Sequence, residues 1–269
     1  MSSEDFFNLL ENRLQEGNAM VSYRLPGKES VQLLSQTRSG SFRIEDFSES
    51  GFVFAPFEEL ENPLFIPEND CEKTVLAFFE NDNSQLYTIA EPSENIDQEA
   101  KSAHINLVRI GVETIKKTEL KKVVLSRKER QKVSISASEI FQNLLSLYPN
   151  AFVYIWSHPE TGVWIGATPE TLLKTERTTF STMALAGTRK LQDFHDNDWT
   201  QKEIVEQQIV TDSIVFKLKE LGHTDETLKV SETYTSEPGE ITTCFMFFAT
   251  HNATIDCATG ILEYFTSSV

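Results

Sequence analysis

The chain has 269 residues, 39% of them hydrophobic and 24% charged, which is typical of a globular protein with room for a substantial core. Its net charge of −17, from 24 basic and 41 acidic residues, argues against nucleic acid or an anionic membrane as a partner, while an anionic metabolite can still bind through local cations or a divalent metal. The chain shows no signal peptide, no membrane span and no metal-ligand spacing among its three cysteines, so we expect a cytoplasmic protein with reduced thiols.

The first hundred residues predict one helix and then a β-rich region. Apolar residues on one stripe predict an amphipathic helix over residues 4–16. From about residue 19 to 92 the pattern becomes β-like and is interrupted by Gly, Pro, Asn and Ser. It predicts five strands, namely MVSYRL, SVQLLSQ, GFVFAPF, TVLAFFE and LYTIA. A second helix is predicted at about 97–118.

The following residues predict strands mixed with long helices. KKVVLSRKERQKVSI is predicted to be a strand, and Ser136 and Glu139 have capping-box spacing at the start of a helix. AFVYIWS, VWIGAT and a segment around TTFSTMAL are predicted strands, the first two joined by a hairpin turn at 158–162. A long helix is predicted at about 199–221, ended by Gly222. This succession predicts an α+β fold or a mixed sheet, not a regular βαβ series.

Lys122 stands at the start of the apolar stretch Val123–Leu125. Burying a lysine is costly unless the amine is paired or neutral. The residue is therefore either a surface charge at a strand entrance or an amine inside a site.

Glu203 and Glu206 are three residues apart on the predicted long helix, so both carboxylates leave the same face. Val210 continues that face, which indicates that it points toward protein. Two such carboxylates repel each other unless a cation lies between them, and hard oxygen ligands suit Mg²⁺. The alternative is that Glu203 closes a capping box with Thr200 and that Glu206 is solvated.

Two further segments carry candidate residues. Glu170 follows Thr168-Pro169, either as a functional carboxylate or as a residue in the first turn of a short helix. The small residues 166–168 end an apolar strand, where a ligand can approach the backbone. The stretch Leu185–Arg189 contains Gly187-Thr188, which is either part of a site or only a turn.

KVVLSR, GATPETLL, LAGTR and a KExxE pattern on a long helix, in that order, resemble the chorismate-utilising enzymes and most of all the isochorismate synthases. The resemblance covers about residues 100–222 well and the first hundred more weakly. It implies a single-domain α+β fold like that of anthranilate synthase component I, with large antiparallel sheets layered against helices and the active site between them.

The resemblance implies a role for each candidate. Isochorismate forms when water attacks C2 of chorismate and the C4 hydroxyl leaves. By resemblance, Lys122 is the base for the water and Glu170 is the acid for the leaving hydroxyl. Glu206 is implied as a ligand of Mg²⁺, with Glu203 as a second ligand or outer-shell partner. The segment Ala186, Gly187 and Thr188 is implied to contact the substrate near C4.

Two positions distinguish the relatives. Anthranilate synthases commonly have glutamine where Lys122 stands, and lysine favours water over ammonia as the nucleophile. Some aminodeoxychorismate synthases have a nucleophilic lysine where Ala186 stands. We therefore expect an isochorismate synthase, with a salicylate or anthranilate synthase as the alternative and either quinone or siderophore synthesis as the pathway. Where the family usually has histidine after the ligand glutamate, this chain has Gln207.

The resemblance stops after Ile241. Residues 242–269 contain two acidic residues and no Lys or Arg, whereas the family continues with a further metal glutamate and an arginine that binds the substrate carboxylate. We interpret residues 1–241 as an incomplete chorismate-binding domain (1–95 β-rich, 96–241 motif-bearing) and 242–269 as an atypical tail, truncated or frame-shifted. A buried β-hairpin is the alternative. We expect a monomer with little activity alone, or else an inactive remnant or binding module.

Overall fold

Antiparallel sheets layered with helices make up the part of the chain that the structure describes. The structure is a computed structural model, and it describes residues 1–44, 47–56, 62–78, 97–176, 179–190, 200–224, 228–230, 234–236 and 240–250. The helices there are α1 (Ser3–Glu16), α2 (Gln98–Lys117), α3 (Ala137–Leu147) and α4 (Gln201–Glu220). The strands are β1 (Met20–Arg24), β2 (Ser30–Gln36), β3 (Phe42–Arg43), β4 (Gly51–Phe54), β5 (Leu64–Pro67), β6 (Cys71–Ala77), β7 (Phe152–His158), β8 (Gly162–Thr168), β9 (Lys174–Glu176), β10 (Thr179–Lys190), β11 (Leu228–Val230), β12 (Tyr234–Ser236) and β13 (Glu240–Thr250). The expected α+β class is confirmed.

The first sheet is built around β1, in the order β6-β2-β1-β7-β8. Alternate side chains of its strands enter two different cores because successive residues of a strand point to opposite faces. Met20 packs with α1 and α3 on one face, where Phe6 and Phe141 are fully buried. The next residue, Val21, packs on the other face with Trp156. Both faces of this sheet are therefore covered by protein.

Local capping signals set the helix boundaries. The Ser2 hydroxyl accepts a hydrogen bond from the Asp5 amide at 3.1 Å, and α1 ends at Gly17, whose φ of 73° suits glycine. At α3, Ser136 and Glu139 form the predicted capping box, with bonds of 3.2 and 2.7 Å.

A small sheet in the order β3-β5-β4 covers the second face of the first sheet through aromatic contacts. The ring centroids of Phe52 and Phe54 lie 5.8 and 4.8 Å from that of Trp156, in stacked geometry. Of its three strands only β4 is predicted from the sequence, since β3 has two residues and β5 four.

The second large sheet carries α4. Its order is β11-β13-β10-β9, with β12 also paired to β13. Ile214 and Leu218 of α4 pack on Phe180 and Ala184 of β10 and form a separate core. Strand β13 begins at Glu240, so the boundary placed at residue 241 falls within a strand that pairs with β10 along its length. Residues 251–269 of the proposed tail lie outside the described residues.

The predicted strand at 121–135 is not formed. The segment is irregular, and Val124 is 75% exposed because no strand pairs with it among the described residues. Its position is set by α2: a Cβ at Gly111 would lie 3.2 Å from Cγ1 of Val123, so the segment returns close against the helix. Helix α2 itself buries none of its residues, and its apolar side chains at 105, 107, 108, 110 and 112 are exposed.

The remaining sequence predictions concern one helix, one turn, one strand and the cysteines. The helix predicted at 97–118 and the hairpin turn at 158–162, with φ of 73° at Gly162, are confirmed. The predicted strand LYTIA and Cys257 lie outside the described residues. Cys71 is a free thiol, and its burial raises its pKa to about 11. Among the described helices, none combines the length and hydropathy needed to cross a membrane.

Arg24 offers a test of how the first sheet is joined to α3. Its guanidinium is buried and donates hydrogen bonds to the carbonyls of Leu145 (2.8 Å) and Tyr148 (2.6 Å) at the helix end. We expect Arg24→Met to lower the free energy of unfolding by about 2–4 kcal/mol because buried carbonyls lose a charged donor. The measurement is urea denaturation. The exposed Arg109→Met is the control, for which a change within about 0.5 kcal/mol is expected; equal effects would contradict the assignment.

His158 predicts a pH dependence of stability. The ring is buried, its Nδ1 accepts the Glu160 amide at 3.1 Å, and burial lowers its pKa, with Glu160 opposing the shift and Arg43 adding to it. The unfolded chain therefore binds a proton at a higher pH than the folded chain. Stability should be complete above about pH 6.5 and fall as the pH decreases below it. Urea midpoints at pH 7.5 and 5.5 test this, since His158→Gln should reduce the loss; an unchanged loss would contradict it.

Candidate functional site

The orientation of α4 is determined by a buried glutamine. Gln207 is 2% exposed, and its Nε2 donates to the carbonyl oxygen of Ala184 on β10 (3.4 Å) and to Oγ1 of Thr211 (2.9 Å). Because an amide in this position is costly to bury without partners, these bonds hold one face of the helix against the sheet. Glu206 precedes Gln207 and lies at the flank of this buried face, where its side chain is 34% exposed.

Lys122 and Glu206 meet in this structure. The distance from Nζ of Lys122 to Oε1 of Glu206 is 3.5 Å, and the two side chains are 26% and 34% exposed. One residue comes from the irregular segment after α2 and the other from α4, so the chain fold alone brings them together. Lys122 is thus half-buried and paired, and it does not lie at the start of a strand as the sequence predicted.

Glu203 has a structural role at the start of α4. Its carboxylate accepts a hydrogen bond from the Thr200 amide at 2.9 Å and closes the capping box of α4. No group of three or more His, Cys, Asp or Glu residues suited to a metal occurs within the part of the chain that the structure describes. The carboxylates of Glu203 and Glu206, on one helix face, are hard oxygen donors of the kind that suit Mg²⁺. Glu206 is paired there with the ammonium group of Lys122.

Glu170 stands apart from this pair. Its side chain is exposed in the turn after β8, and its backbone N–H donates to Oγ1 of Thr168 at 3.1 Å. Among the described residues no hydrogen bond or ion pair joins it to Lys122 or Glu206. The short helix that was the alternative for this segment is not formed either.

Gly166, in the same motif as Glu170, has a packing role. A Cβ at this position would lie 2.7 Å from Cε1 of Tyr154, the residue opposite it on β7. The glycine therefore makes room for an aromatic ring across the strand pair.

The segment Leu185–Arg189 lies inside β10, so the turn that was one alternative for Gly187-Thr188 is not formed. The pairing with β13 shifts register between Ala186 and Thr188, so Gly187 occupies a β-bulge. Ala186 itself is buried. A bulge leaves a backbone position without its ladder partner, and such positions often lie beside binding sites.

Two cavities are present away from these residues. One, of about 370 Å³, lies beside β3 and β5 and is lined by residues that include Arg43 and Asp70. The other, of about 440 Å³, lies between α2 and the segment Ser126–Lys128. Neither is lined by Lys122 or Glu170.

Sequence reasoning proposed Lys122 and Glu206 as site residues, and it missed the anchoring role of Gln207 and Thr211. The available signal was their spacing of four residues, which places both on one helix face together with the carboxylates. The partner carbonyl of Ala184 belongs to a strand that is distant in sequence, so the sequence of the helix does not predict this contact.

Residues 66–235 of the chain match the family model described as chorismate binding enzyme. Over 84 residues, which are 31% of this chain and 19% of the relative, the sequence is 37% identical to anthranilate synthase component 1 of Thermococcus kodakarensis. The chain thus spans about a fifth of that relative's length.

The fold is similar to a solved structure, the menaquinone-specific isochorismate synthase MenF of Escherichia coli. The TM-score is 0.59 at 14% sequence identity, and the match covers 91% of this chain and 67% of MenF. At this identity the likeness shows the fold alone.

The anchoring role of Gln207 is testable with its neighbour as a matched control. We expect Gln207→Leu to lower the free energy of unfolding by about 1–3 kcal/mol, because the Thr211 hydroxyl and a strand carbonyl lose a donor. Gln208→Leu removes only an exposed bond to Asp212 and should change stability by less than about 0.5 kcal/mol. Chemical denaturation of both variants is the measurement, and equal losses would show that Gln207 does not anchor the helix.

Proposed function

The chain belongs to the chorismate-binding enzyme family, and from this premise we propose that its site is that of an isochorismate synthase. Membership implies a small-molecule substrate. The proposed reaction adds water at C2 of chorismate and releases the C4 hydroxyl, so that the product is an isomer of the substrate.

The observation that carries the proposal is the 3.5 Å contact between Lys122 and Glu206. By resemblance, the lysine is the base that activates water and the glutamate is a metal ligand. The two residues lie far apart in sequence, yet the fold brings them together beside α4. A contact between two residues that the resemblance assigns to one active site supports a common site.

The proposed chemistry uses two proton transfers. The Lys122 amine, once neutral, accepts a proton from water as the water oxygen bonds to C2. Glu170 donates a proton to the C4 oxygen, and the C4–O bond breaks as water leaves. The support for Glu170 comes from its sequence motif alone, because its side chain is exposed and forms no hydrogen bond or ion pair with Lys122 or Glu206 among the described residues.

Glu206 would hold Mg²⁺, and Glu203 would join it if its carboxylate gave up the hydrogen bond to the Thr200 amide. When bound, the ion supplies positive charge that offsets the dianionic substrate in a protein of net charge −17. The buried Ala186 and the bulge at Gly187 and Thr188 are proposed to contact the substrate through backbone groups near C4.

An anthranilate synthase-type activity is the second candidate, because the sequence match of 37% identity is to such an enzyme. Lys122 favours the isochorismate synthase, since the resemblance places glutamine there in enzymes that use ammonia. A salicylate synthase would differ from both in its products, and an inactive binding module would form no product.

Product analysis tests the proposal. Concentrated protein with chorismate and Mg²⁺ should yield isochorismate by chromatography, at well below about one turnover per second for this chain alone. Lys122→Gln should lower the rate by about 100-fold or more through loss of the base, while the neighbouring Lys121→Gln should not.

The other outcomes are distinct. Anthranilate formed with ammonium, or salicylate and pyruvate, would replace the proposed reaction. Turnover near one per second would show that residues 242–269 complete a working site. Binding of chorismate without any product would make the chain a binding module.

Metal binding tests the role of Glu206 separately. Calorimetric titration with Mg²⁺ should show that Glu206→Gln weakens binding by about tenfold or more because a charged ligand is lost. Glu220→Gln, on the same helix and 48% exposed beside Lys217, is the control and should bind Mg²⁺ like the unaltered protein. Equal affinity of all three proteins would mean that Glu206 is only a helix residue.

A further inference from the structure

The cation beside Glu206 in this structure belongs to the chain itself. The Lys122 ammonium lies 3.5 Å from Oε1 of Glu206. The neighbouring carboxylate of Glu203 accepts the Thr200 amide at the start of α4. The charge of Glu206 is thus offset by an internal lysine in a place that the proposed function assigns to a divalent ion.

Lys122 is able to leave this position. The segment between α2 and α3 lies against α2 at Val123, but it pairs with no strand among the described residues, and Val124 is 75% exposed. The lysine side chain is also long and flexible. Glu206, by contrast, lies within α4, and the next residue of that helix, Gln207, is hydrogen-bonded to β10. The carboxylate is therefore the fixed partner and the lysine the movable one.

We propose that Lys122 is an intramolecular competitor for the cation site, so that a divalent ion binds Glu206 only by displacing the lysine amine. This rests on the proposed function, in which Glu206 is the metal ligand. A magnesium ion must approach a carboxylate oxygen to about 2.1 Å, and an ammonium already at that carboxylate repels it. Displacement releases the same amine that the reaction uses as its base.

The coupling has a consequence in both directions. If the lysine weakens metal binding, then the metal equally weakens the Lys122–Glu206 contact, because coupling between two binding events is reciprocal. Metal entry and release of the amine are then one event. In the protein without metal the base stays paired with a carboxylate.

The experiment is a titration with Mg²⁺ alone, without substrate, at one fixed pH near 7.5. The proteins are the unaltered chain, Lys122→Gln, Glu206→Gln, the double variant, and Lys121→Gln. Lys121→Gln removes the same charge from the adjacent exposed position, so it reports the general effect of net charge. Circular dichroism of each variant confirms that it is folded.

We expect Lys122→Gln to bind Mg²⁺ about fivefold more tightly than Lys121→Gln, the scale of a partly exposed ion pair. In the Glu206→Gln background the same change should have no such effect. If Lys122→Gln and Lys121→Gln bind equally while Glu206→Gln loses binding, the competition is refuted and the metal site stands. If Glu206→Gln binds like the unaltered chain, the proposed metal site itself fails, and the competition with it.

Discussion

The packing of α4 on β10 is the constraint on which the site depends. Ile214 and Leu218 bury one stripe of the helix against Phe180 and Ala184, and the amide of Gln207 bonds to the Ala184 carbonyl. With that face held, Glu206 cannot turn to the opposite side of the helix without breaking the core contacts. The carboxylate is therefore presented toward the segment that carries Lys122, where the two charges come within 3.5 Å.

The same strand joins the site to the remainder of the sheet. Strand β10 pairs with β13 over most of its length, and the register shift beside Gly187 opens its backbone at one point. Side chains of β10 thus pack against α4, and the same strand contains the β-bulge within the LAGTR motif. Two of the four sequence motifs, LAGTR on β10 and KExxE on α4, therefore depend on this sheet and its helix for their positions.

Features governed by neighbours in sequence were predictable. The capping box at Ser136 and the hairpin closed by Gly162 depend on interactions within a few residues, and both are present. The strands MVSYRL and AFVYIWS were predicted because their apolar residues fill both faces of a sheet covered on each side. The common face of Glu203 and Glu206 follows from helical geometry alone.

Features that depend on distant partners were not predictable. Val123 and Val124 have strand-like sequence, but a strand needs a neighbour, and the described chain places an exposed segment there. Gly187 resembles a turn residue until its pairing with β13 is known. Gly166 resembles a ligand-approach position until the ring of Tyr154 is placed over it. In each case the local pattern is compatible with two structures, and the tertiary partner decides between them.

The central proposal is that the half-buried carboxylate of Glu206 is the ligand of a divalent cation. Its most direct measurement is a crystal structure of the chain grown with Mn²⁺, with the ion located by its anomalous scattering. The account predicts an anomalous peak within bonding distance of a Glu206 oxygen, with Nζ of Lys122 withdrawn beyond its present 3.5 Å. A bound ion held by other carboxylates, with Glu206 still paired to Lys122, would contradict it.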